Sequence, residues 1–98
     1  MRPILHGDVT SAARALLRVP ARARAALCRR MIAEAELADC HVQSTGRAHP
    51  IWGNGSLMAA ARRRDLADEP SFDDVGYCQC FETVLQSLIA HQLGQAQA

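Results

Sequence analysis

The sequence predicts an all-α fold: a small bundle of about four helices joined by short loops, with one ordered glycine-rich loop at its centre. Three observations predict it. Apolar residues recur at steps of three and four through most of the chain, the spacing of one helix face. Proline, glycine and short acidic clusters interrupt that pattern at helical intervals. No stretch alternates apolar and polar residues strongly enough to compete as a strand.

Each element follows from local chemistry. Asp8 is expected to cap a first helix over Val9–Val19, its carboxylate accepting from amides one turn on, with Ala12, Ala13, Leu16 and Leu17 as the apolar face. Pro20 ends it and suits the first position of the next helix. The second helix is the longest, from Ala21 to Ser44, with Leu27, Met31, Ala35, Ala38 and Val42 inward and Cys28 and Ile32 widening the stripe. Gly46 stops it. Residues 46–56 form the glycine-rich loop. A short helix runs from Leu57 to Leu66, capped by Ser56 or Asn54. After the break at Asp68-Glu69-Pro70, Ser71 with Asp74 makes an acidic capping box for a last helix from Phe72 to Leu93. Val75, Cys78, Phe81, Leu85, Leu88 and Ile89 form its apolar face, widened by Tyr77 and Val84. Residues 93–98 read as a frayed tail. The expected core is Leu16, Leu27, Met31, Trp52, Phe81, Leu85 and Leu88.

Length and composition bound the rest. Ninety-eight residues make one domain, 1–98. Of the 49% that are hydrophobic, eighteen residues are alanine and four cysteine, leaving 26 large side chains for one modest core. That content, with a net charge of +1, excludes a disordered chain. No apolar run reaches the roughly 18 residues of a membrane span, and no signal-peptide stretch follows Met1, so a cytoplasmic protein is expected. Eleven arginines and no lysine fit a GC-rich coding bias, which weakens arginine abundance as a sign of nucleic-acid binding. The charge is uneven: residues 1–30 carry seven arginines against Asp8, and residues 31–98 carry four against nine acids. The two halves can attract each other within the fold, or form a dipolar surface that selects a partner.

The chemical motifs are sparse. Cys28, Cys40, Cys78 and Cys80 lack the paired spacing of a zinc site, since Cys78-Gln79-Cys80 is one residue short and its side chains diverge on a helix. Cys28 and Cys78 instead fall on core stripes. No metal or other cofactor is expected. His6, His41, His49 and His91 are scattered, and no nucleophile-elbow, metalloprotease, phosphate-loop or dinucleotide motif occurs, so no catalytic residue is assigned and a non-enzymatic protein is expected. Arg62-Arg63-Arg64 is the nucleic-acid candidate. The helix before it is apolar, lacks base-reading side chains, and is followed by Asp65, Asp68 and Glu69, which favours a solvated helix end over DNA contact.

Gly53 and Gly55 permit positive φ and Ser56 opens a helix, so the amides of Gly53, Asn54, Gly55 and Ser56, with Arg47 in reach, could hold an acidic or phosphorylated group. The simpler alternative is that the glycines turn the chain tightly enough to seat Trp52 in the core.

The run His49-Pro50-Ile51-Trp52-Gly53-Asn54-Gly55-Ser56-Leu57-Met58-Ala59-Ala60-Ala61, with His6-Gly7-Asp8 near the start, resembles a family of small bacterial proteins of unknown function found in GC-rich alphaproteobacteria. The resemblance implies a free-standing, single-domain cytoplasmic protein and carries no activity, cofactor or catalytic residue. The sequence thus assigns no function by itself. The reading it supports best is a helical interaction or regulatory protein that presents Arg22, Arg29 and Arg30 to an acidic protein partner or to another copy of itself. Anion binding at Gly53–Ser56 is the alternative and DNA binding through Arg62–Arg64 a second one. Nucleic acid is the disfavoured partner and no membrane is expected. An open arginine face beside leftover apolar surface is the feature that would mark the partner site.

Overall fold

A computed structural model describes residues 1–97. The protein is an all-α bundle of four helices: α1 (His6–Leu16), α2 (Ala21–Thr45), α3 (Leu57–Ala61) and α4 (Val75–Gln97). No strand occurs among the described residues; the one β-type pairing is an isolated bridge between His49 and Gly53. α1 packs on both α3 and α4, and α2 closes the bundle against the same two helices.

The core is built of small residues around a few large ones. Leu16, Met31, Leu57, Tyr77, Val84, Cys28 and Cys80 are fully enclosed, and Ala12, Ala13, Ala15, Ala35, Ala60 and Ala61 fill the spaces between them. Alanine at these positions lets the helices approach closely, and burial at roughly 25 cal/mol per Å² of apolar surface drives the packing. Two residues expected in the core lie elsewhere. Trp52 is only half-buried, in the loop, and Leu85 is 43% exposed. Tyr77, expected only to widen a stripe, is the largest fully buried side chain. Cys78 is exposed, whereas its neighbour Cys80 is buried.

The helix ends show how the sequence sets the boundaries, and where other forces shift them. α1 begins three residues earlier than expected because Asp8 is not its cap. Leu5 stands at the cap, and Asp8 sits inside the first turn, accepting from the Leu5 N–H at 2.8 Å. At the other end the Arg24 guanidinium Nε donates to the carbonyls of Leu16 (3.1 Å) and Val19 (3.3 Å), a cation where the helix dipole favours one. Pro20 stands outside α2 as its extended cap rather than as its first turn. Gly46, in the left-handed region at φ 71°, ends α2 as expected and donates to the Val42 carbonyl. α3 is half the expected length: it closes at Ala61, and residues 62–64 continue in tight turns. α4 starts at Val75 because Asp74 itself caps it, accepting from the Tyr77 N–H at 3.0 Å. It runs through Gly94 to Gln97, taking in most of the stretch expected to fray; Ala98 lies outside the described residues.

Candidate functional site

The glycine loop packs tightly against its own chain. Gly53 (φ 82°) and Gly55 (φ 91°) both take the left-handed conformation. A Cβ on Gly55 would lie 2.8 Å from the Asp39 Cα, so the loop backbone rests directly on α2 where no side chain fits. His49 and Gly53 exchange backbone hydrogen bonds, and the His49 ring Nδ1 accepts from the amides of Ile51 and Trp52, both at 3.1 Å. Asn54 Oδ1 accepts from the Ser56 N–H, the Gly55 carbonyl accepts from the Arg2 N–H, and Ser56 Oγ caps α3 by accepting from the Ala59 N–H.

The amides that the sequence offers to an anion are therefore engaged within the chain. The carboxylate that meets the α3 N-terminus is Asp8, whose Oδ1 accepts from the Met58 N–H at 2.9 Å while its Oδ2 holds the start of α1. Asp8 is 5% exposed, so one buried carboxylate ends two helices. Arg47 is exposed, and the contact it makes into this region is through its backbone N–H, to Thr45 Oγ1. The structure brings Gly53, Asn54, Gly55 and Ser56 together and fills the place beyond them with Asp8.

The arginines divide into two sets. Arg14 Nε donates to the Ala67 carbonyl at 2.8 Å and fastens the segment before α4 to α1. Arg18 pairs with Asp65 across the molecule, so the basic and acidic halves of the chain do meet. Arg64 was expected to be solvated with its neighbours. Instead it forms a two-pronged ion pair with Glu34 of α2, donates to the Ala60 carbonyl and lies over the Trp52 ring, its Cζ 5.3 Å from the ring centre. Only Arg62 and Arg63 of that triplet remain exposed. Arg22, Arg29 and Arg30 are all exposed on α2. Arg22 and Arg29, seven residues apart, share a face, and Arg30 is turned about 100° from Arg29. The residues around them are mostly alanine (Ala25, Ala26 and Ala33), with Leu37 the one large exposed apolar residue on α2.

The larger exposed apolar surface is on the opposite flank of α4. Leu85, Ile89 and Leu93 form a ridge at steps of four, 43%, 59% and 59% exposed. With Ile4, Leu5 and Val9 they line an open groove of about 470 Å³ between α4 and the start of α1. Sequence reading assigns Leu85 and Ile89 to the core face. They follow Val84 and Leu88 by one residue each, however, which turns them about 100° from the buried direction. The available signal is the width of the apolar arc on α4, too broad for one neighbour to cover.

The remaining titratable groups are dispersed. The Met1 amino group pairs with Glu36 at 2.7 Å and Asp39 at 3.0 Å, and Glu36 also meets His91 Nε2 at 3.2 Å. Burial disfavours charge on the Met1 amino group, but the hydrogen bonds to Glu36 and Asp39 outweigh it and hold the pKa above the ordinary 8.0. Burial likewise works against the Glu36 carboxylate, and the bonds from Met1 and His91 overcome it, holding its pKa below 4.5. Burial pushes the Cys28 and Cys80 thiols up, which keeps both unreactive. No three His, Cys, Asp or Glu side chains converge as a metal-binding group among the described residues.

Residues 2–88 match the family described as Domain of unknown function (DUF7742). The chain belongs to that family. The DUF7742 match takes in α1, α2, the glycine loop, α3 and α4 as far as Leu88, so the Asp8 bridge and the Arg64–Glu34 pair lie inside it and Ile89 and Leu93 follow it directly. The family description names no activity. No curated protein and no solved structure gives a significant match. No helix among the described residues is long and apolar enough to cross a membrane.

Proposed function

We propose that this DUF7742 protein is a non-enzymatic helical interaction protein that works through the apolar groove of α4. The observation that carries the reading is the ridge of Leu85, Ile89 and Leu93 beside Leu5, which is itself 70% exposed. Single exposed apolar residues are ordinary on a soluble domain, whereas a contiguous ridge lining a groove is the usual form of a protein-binding surface. The dispersal of the histidines and the burial of two of the four thiols support a binding role over a catalytic one.

This reading moves the contact away from Arg22, Arg29 and Arg30, which stand beside alanines rather than beside the apolar surface. It also gives little weight to anion binding at Gly53–Ser56, where Asp8 already accepts the α3 amide, and to DNA binding, for which Arg64 is committed to Glu34.

Site-specific photo-crosslinking in the native host tests the proposal. A crosslinker replacing Ile89 is expected to capture protein, and one replacing Arg22 is expected to capture none. Capture at position 22 alone, or at neither position, overturns it.

A further inference from the structure

We infer that the occupant of the α4 groove is a second copy of this chain, packed antiparallel about a two-fold axis near Ile89; the inference rests on the groove being an interaction site. Two features of the surface point to a copy of itself. The first is charge. Residues 83–97 contain no Asp, Glu, Arg or Lys, in a chain where 21% of residues are charged. Among the described residues lining the groove, only His6 is ionisable, and its ring lies 6.3 Å from that of Phe81. Such a surface offers an acidic or basic partner nothing to pair with. Two copies of it can meet with no like charges opposed.

The second feature is shape. A two-fold interface places the same patch on both sides, so the patch must carry both a projection and a recess. This one does: the ridge of Leu85, Ile89 and Leu93 projects beside a groove whose far wall is Ile4, Leu5 and Val9. The even spacing of four about Ile89 makes the ridge self-complementary when two copies run antiparallel. Ile89 then meets Ile89, and Leu85 meets Leu93. The orientation matters electrostatically. Glu82, the nearest acid along α4, falls at opposite ends of an antiparallel pair, whereas a parallel pair would set the two Glu82 carboxylates side by side.

Light scattering across a concentration series tests this on the full chain. The wild type is expected to reach twice its 10.7 kDa mass. Ile89→Asp is expected to remain monomeric at every concentration while its circular dichroism spectrum stays that of the wild type, because Ile89 is exposed and its replacement leaves the core intact. Arg29→Ala, on the other flank, is expected to dimerise as the wild type does. The register is read independently by Ile89→Cys in a background lacking the exposed thiols (Cys40→Ser, Cys78→Ser), where mild oxidation is expected to link two copies through position 89. A wild type that stays monomeric at millimolar concentration overturns the inference, as does a dimer that survives Ile89→Asp. Capture of a different protein at position 89 by a monomeric chain would overturn the second copy and leave the interaction reading standing. No capture of any kind would remove both.

Discussion

Both carboxylate oxygens of Asp8 accept backbone amides, one from Leu5 at the start of α1 and one from Met58 in the first turn of α3. Each is a charge-assisted bond at a helix N-terminus, where the helix dipole favours an anion. The site is buried, so removing the carboxylate leaves two donors without partners rather than returning them to water. Asp8→Ala is therefore expected to cost about 3 kcal/mol in urea denaturation. Asp8→Asn, which keeps one acceptor oxygen, is expected to cost roughly half as much. A change in midpoint no larger than that of an exposed surface substitution would show that solvent replaces the carboxylate. Sequence reading identifies Asp8 as a capping residue and is right about its chemistry. It places the cap on the wrong turn, because an amide acceptor can reach back as well as forward, and the second amide is fifty residues away in the chain.

Among the helices, legibility follows how local the deciding force is. α2 is read almost to the residue: Pro20 and Gly46 fix its ends through backbone geometry alone. Ser56 is correctly read as the cap of α3, but the length of that helix is not, since Arg64 leaves the helical path to reach Glu34 on α2. α4 shows both outcomes. Asp74 satisfies the Tyr77 amide and so starts the helix at Val75, three residues later than periodicity implies. Asp74→Ala is expected to cost about 1 kcal/mol and to fray the first turn. Loss of amide protection at Tyr77 and Cys78, with the rest of the helix unchanged, checks this. Periodicity marks the apolar arc of α4 but cannot say which part of the arc a neighbour covers. Tyr77, Val84 and Leu88 turn inward, and Leu85 and Ile89 do not. Trp52 fails as a core residue for a similar reason. A lone indole is usually an anchor, but here Arg64 stacks on it at the surface while the glycine loop spends its tight turn in resting on Asp39.

For the molecule as a whole, the fold class, the four helices and the role of glycine in the central loop are legible, whereas the exposed groove is a property of the assembled bundle and has no local sequence motif. The same holds for the ion pairs that tie the start of the chain to α2. Those pairs set a pH window. The Met1 amino group has a folded pKa above 8.0, so its contribution is complete below pH 8.0 and is lost as pH rises through the higher folded value. Glu36 has a folded pKa below 4.5, so its contribution is complete above pH 4.5 and is lost as pH falls through the lower folded value. Melting temperature is expected to form a plateau between these limits and to decline on either side. Glu36→Gln is expected to lower the plateau by about 1 kcal/mol at most, since the group is partly solvated, and to soften the acid-side decline. An unchanged profile in that variant would place the acid sensitivity elsewhere.

The double duty of Asp8 also bears on the order in which the molecule assembles. Five residues are too few to hold a helix in water, because the nucleation penalty exceeds what so short a hydrogen-bonded run returns. α3 gains its first-turn acceptor only when α1 arrives with the carboxylate already in place. The middle of the chain is accordingly the last part to take shape and the first to be given up, waiting on a residue that leaves the ribosome long before it does.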